Sequence, residues 1–189
     1  MAKNNAHIGE SPEQRLKRFQ SGPPNEAILT LLNSIDNYFN NEIRATIKDL
    51  DFPQTSLLFL GIHAAILTIS EAFFDDKTQR GYKLFLESFV DGEADPERFS
   101  LIAGDIHLWR NIVAHQWLSN KGHSFGYAYS IQEGWKREDG ILYINPKIYC
   151  EHYLKAFSLG GKIWEYRSLF SDDELEAIKG RIIEKFVRN

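Results

Sequence analysis

Phe99-Ser100-Leu101-Ile102-Ala103-Gly104-Asp105-Ile106-His107-Leu108-Trp109-Arg110-Asn111-Ile112-Val113-Ala114-His115-Gln116-Trp117 is the stretch whose reading decides the fold. Its apolar members Phe99, Ile102, Ala103, Ile106, Trp109, Val113 and Trp117 recur in steps of three and four, which predicts a helix with one buried stripe. Asp95-Pro96-Glu97 ahead of it combines a cap residue, a proline suited to the first helical position and a first-turn negative charge. Ser119-Asn120-Lys121-Gly122 behind it offers residues that take the left-handed conformation ending helices.

With about 100° of rotation per residue, His107, Asn111 and His115 fall within an arc of about 80°, a polar seam on this helix. Arg110 lies about 140° from His115 by the same count, at the border of the apolar stripe, with a stem long enough to carry its guanidinium back over the seam. An arginine beside core residues needs a partner or an anion. Arg110, Asn111 and His115 are therefore the candidate functional residues, while His107 reads foremost as solvated surface and only secondarily as a supporting group.

Outward from this helix the pattern stays helical. A first long helix is expected from Asn25 to about Leu50, after Ser21-Gly22-Pro23-Pro24 and before the break at Asp51-Phe52-Pro53. Residues 54–74 are apolar nearly all round, which predicts a central helix covered by neighbours or by a partner subunit. His63 and Glu71 inside it need partners if buried, and Glu71 is a candidate to orient Arg110. A further helix is expected over about 78–90, another from Pro146 to about Leu159, and a last one after Ser171, whose spacing to Glu174 suits a capping box. Residues 1–24 read as a polar, loose arm with a short helix near Pro12–Phe19, and 25–189 as one domain.

The rhythm changes after the seam. Phe125, Tyr127, Tyr129 and Ile131 alternate with small or polar residues, and Ile141-Leu142-Tyr143-Ile144 follows the turn signal Glu138-Asp139-Gly140, so a β-hairpin is expected at about 125–145. Its aromatics suit base stacking, although packing against the bundle is the more ordinary use of such rings. The fold class is thus all-α: four to five core helices and a C-terminal helix, with a small hairpin inserted after the seam helix.

Composition narrows the chemistry. The 189 residues carry a net charge of −4, so any nucleic-acid recognition must be local. The single cysteine, Cys150, excludes an internal disulfide and a cysteine-based zinc site. No Gly-rich phosphate loop, His-Glu-x-x-His pair or Gly-x-Ser-x-Gly elbow occurs, so neither metal nor cofactor is expected. No apolar run approaches the roughly 18 residues of a membrane span and no secretory signal is evident near the start, which points to the cytoplasm.

Arg110-Asn111-x-x-x-His115, with Ala114 before the histidine, resembles the R-x4-6-H motif of HEPN domains, near the end of a late helix in a helical domain. The resemblance covers roughly residues 25–170 and identifies no subfamily. It implies a helical bundle, a homodimer that joins two motifs in a composite site, an RNA substrate cleaved without metal, and an antitoxin or regulatory protein as partner. Such chemistry needs a base, an acid and a cation at the phosphate, which His115 and Arg110 supply by type, with Asn111 positioning. Some HEPN toxins carry a modifiable tyrosine two residues after the histidine; Trp117 stands there in this chain. The alternatives are a non-catalytic HEPN-like dimer that binds a nucleotide or protein, and a purely structural polar network.

Overall fold

A computed structural model describes residues 9–48, 55–92, 98–116 and 125–186, with the side chains of 55, 111–116 and 186 outside the description. The expected helix start at 95–97 and its end near 119–122 lie outside the described residues, as does Trp117. Helices α1 (Pro12–Ser21), α2 (Pro24–Ser34), α3 (Asn41–Thr46), α4 (Thr55–Phe74), α5 (Gln79–Phe85), α6 (Ala103–Gln116), α7 (Pro146–Ala156) and α8 (Asp172–Phe186) make the chain mostly helical, beside one small sheet.

Local chemistry explains most of the starts. Ser11 and Gln14 close a capping box on α1, and Pro24 opens α2. The Asn145 side chain accepts from the amides of Lys147 and Ile148 ahead of α7. Ser171 and Glu174 pair reciprocally at α8, as their spacing predicts. The long first helix is interrupted: a π-helical turn over Ile35–Asn40 separates α2 from α3. A second π turn, Leu86–Val90, ends α5, and α6 is entered through a 3-10 turn, Phe99–Ile102. Asp91 fastens that entry, accepting from the amides of Phe99 at 2.9 Å and Ser100 at 3.0 Å.

Helix α4 is the hub, in contact with α5, α6, α7 and α8. Phe59, Ile62, Ile66, Ile69 and Phe73 point into the core, and Arg181 of α8 donates to the carbonyls of Ala72 and Phe73 that the helix end leaves open. Within the one chain coverage is one-sided, and Leu57 is 59% exposed; cover by a partner subunit is the other arrangement the sequence allows. Ser56–Phe74 is also long and apolar enough to cross a membrane by length and composition, which corrects the expectation of no such segment. The scattered His63, Gly61 and Ser70 break the uninterrupted run without lowering the average enough to exclude it. Half of that stretch is buried within the fold.

Two further expectations change. The segment before Pro23 is anchored: Phe19 is core, and Arg18 holds Glu10 at 2.8 Å and Glu26 at 2.6 Å. The expected hairpin is instead a three-stranded sheet of β1 (Phe125–Tyr127), β2 (Trp135–Glu138) and β3 (Ile141–Ile144), ordered β1-β3-β2. Asp139 and Gly140 both have positive φ, 50° and 77°, the type I′ geometry of a two-residue hairpin, so β3 pairs antiparallel with β2. Strand β1 lies parallel on the other side of β3, which requires the chain from 128 to 134 to travel back.

Candidate functional site

The packing of α4 on α6 brings together two histidines forty-four residues apart. His63 is fully buried, and its Nε2 lies 3.1 Å from Nδ1 of the part-buried His107. On its other side His63 stacks on Tyr82 of α5, with ring centroids 4.5 Å apart. The Tyr82 hydroxyl in turn shares a hydrogen bond with that of Tyr149 on α7, deep in the core. His107 is therefore more than solvated surface, because a buried imidazole on the neighbouring helix uses it as a partner.

Both histidines are held neutral. Burial is the main cause at His63, reinforced by His107 once that ring takes a proton and by the charge of Arg110, and it brings the imidazole down to about 3. At His107 burial again acts first and Arg110 second, in the same direction. Arg110 stands three residues after His107, within the neighbour spacing of a helix, and its charge reaches both rings. The structure thus joins Arg110 and His107 around one locus and adds His63, which sequence reading marked only as a polar core residue in need of a partner. The signal was the polar ring in an apolar helix; its partner depended on packing.

Asn111 and His115 belong to the same helix, whose α-helical backbone runs to Gln116. Their side chains lie outside the described residues. Positions 107, 111 and 115 share one face by helical register alone. Glu71 goes elsewhere: its carboxylate meets Lys185 at 2.5 Å and Lys77 at 3.8 Å. Glu71 is thus a polar group satisfied within the fold, and the alternative contact with Arg110 is not formed; Glu71 lies eight positions, about 12 Å, beyond His63 along α4.

The strand aromatics are packed inward. Phe125 and Tyr127 meet Phe59 and Trp109, with Trp109 and Phe125 centroids 4.7 Å apart and Trp109 and Tyr127 at 5.1 Å. They form the wall beside the seam and steady Trp109, next to Arg110; Tyr129 remains 46% exposed. No group of three or more metal-ligating side chains occurs among the described residues. Burial pushes the Cys150 thiol up to about 12, so it is a packing residue and not a nucleophile. No protein-family model matches the chain, and searches of curated proteins and of solved structures return no match. Family and function rest on the residues themselves.

Proposed function

We propose that this protein is a metal-independent endoribonuclease of the HEPN type, acting as a homodimer in which two motifs meet. The observation that carries the reading is the convergence of the Arg110 charge with imidazoles on the α4–α6 seam of a helical bundle. Arginine stays charged at neutral pH and offers a fork of donors to phosphate oxygens. Histidine has a reference pKa of about 6.5, so the residue type at position 115 suits taking or giving a proton near neutral pH.

In the proposed step a base removes the proton of the ribose 2′-hydroxyl, whose oxygen attacks the adjacent phosphorus. The bond to the 5′-oxygen breaks, and an acid protonates that leaving oxygen. The products are a 2′,3′-cyclic phosphate and a 5′-hydroxyl end. Arg110 stabilises the charge on the phosphate, His115 supplies the proton transfers and Asn111 positions them. One motif holds one such histidine, so a second copy supplies the complementary proton group. Leu101 and Leu108, seven residues apart on the motif-bearing segment and exposed at 57% and 44%, offer apolar surface for that copy. A cytoplasmic address, and an antitoxin or regulatory protein that restrains the enzyme, follow from the same reading, with toxin–antitoxin and phage-defence systems as its setting.

The test is an RNA oligonucleotide cleaved by the protein in chelator, compared with the same oligonucleotide carrying 2′-deoxyribose at the cleaved position. Cyclic-phosphate ends from the first and no cleavage of the second are expected. A 3′-hydroxyl product, or cleavage of both, contradicts the mechanism.

A second reading is a non-catalytic dimer that binds a nucleotide or a protein through Arg110; the net charge of −4, which gives the chain no general attraction to RNA, favours it.

A further inference from the structure

We infer that His107 is a neutral hydrogen-bond donor to a phosphate oxygen, its proton fixed on Nε2 by the buried His63, so that His107 and Arg110 form one anion site on α6. The inference rests on the reading of Arg110 as a phosphate contact and names the second group that meets the same anion.

A neutral imidazole has one N–H and one bare nitrogen. The contact between His63 Nε2 and His107 Nδ1, at 3.1 Å, therefore needs a proton from one ring and a lone pair from the other. Nδ1 of His63 is buried and has no hydrogen-bond partner. Were the His63 proton on Nδ1, it would be a buried donor with no acceptor, the costlier and rarer orphan. The proton belongs on Nε2 of His63, which donates to Nδ1 of His107. His107 then carries its own proton on Nε2, on the far side of a part-exposed ring.

Arg110 follows three residues later, the spacing at which two side chains of one helix can meet a ligand on its surface. Its charge also opposes a second proton on either ring, as burial does, which keeps the pair neutral through the physiological range. A neutral donor of this kind does not switch off as pH rises, unlike an imidazolium. It suits a phosphate that must be held while other groups move protons. Tyr82, stacked on His63, fixes the ring that sets the tautomer.

The test uses the full chain with 15N-labelled histidine, in which long-range 1H–15N spectra report which nitrogen of each ring is protonated. His107 is assigned with His107→Ala, and the lock with His63→Gln. The expected spectrum has the His107 proton on Nε2, a mixed tautomer after His63→Gln, and movement of Nε2 on adding inorganic phosphate or a 2′-deoxy-blocked RNA pentamer. His107→Ala is expected to weaken phosphate binding about tenfold, and His107→Gln, which keeps an N–H donor, to restore most of it. Response to the pentamer alone assigns the site to a phosphodiester, and response to both assigns it to phosphate in general. A His107 proton on Nδ1, or an Nε2 unmoved by either probe, overturns the proposal. Movement without RNA cleavage keeps the anion site and removes the nuclease; cleavage with His107 silent does the reverse.

Discussion

Acidification strikes this fold at His63. The folded imidazole stays neutral down to about pH 3, driven first by burial and then by His107, once that ring takes a proton, and the charge of Arg110. In the unfolded chain the same ring takes a proton near pH 6.5. Between those values the unfolded state binds the extra proton, so the stability present above pH 6.5 is lost as pH falls, by about 1.4 kcal/mol per pH unit. From pH 6.5 to 4.5 the loss is roughly 3 kcal/mol, a large share of the about 5–15 kcal/mol that holds a domain together. The groups facing the ring are His107 and Arg110 on α6 and Tyr82 on α5; none is an acid that would rescue the proton. Carboxylates titrate at the low end of this window too, so the readout is a difference. Urea unfolding of wild type and His63→Gln is compared at pH 7, 6, 5 and 4.5; glutamine does not titrate and can turn either its amide N–H or its carbonyl to His107. The wild-type advantage should shrink by about 1.4 kcal/mol per pH unit below 6.5. A gap that stays constant across this range refutes the reasoning.

Other perturbations read other parts of the account. Phe59 touches Trp109, Phe125, Tyr127 and Tyr149, so Phe59→Ala should cost about 3–5 kcal/mol in chemical denaturation; a loss under 1 kcal/mol would mean that the wall beside the seam is not packed as described. Gly140, at φ 77° in the β2–β3 turn, should lose about 1 kcal/mol on Gly140→Ala, and an unchanged thermal midpoint would argue against the type I′ turn. Glu71→Gln removes the ion pair with Lys185 and should cost at most about 1 kcal/mol while leaving RNA cleavage intact; lost cleavage with unchanged stability would return Glu71 to the site.

The helices were legible because their signals are local. Pro146 after Asn145, Ser171 three before Glu174 and the stripe through Ile102, Ile106 and Trp109 each act within a few residues, so position in the chain is enough to read them. The sheet is half legible: Asp139-Gly140 is a strong turn, yet Trp135–Glu138 carries three charged residues and no alternation, so the alternating residues 125–131 mimic the strand that pairs across that turn. The π turns at Ile35–Asn40 and Leu86–Val90 have no sequence signature, being adjustments of a continuous helix to its neighbours. The same limit applies at the candidate site. Arg110 stands out by type and spacing while His107 reads as solvated surface, because the ring that pairs with His107 comes from α4; the lysine that takes Glu71 likewise comes from α8, 114 residues away. Contacts of that kind are written in the packing of helices and not in any stretch of chain.

The most direct measurement is incubation of wild type, Arg110→Ala and His115→Ala with total RNA in EDTA, with the mass of each species read in the same samples. The account predicts cleavage by wild type alone while all three remain dimeric. Equal cleavage by all three, or none by wild type, would contradict it.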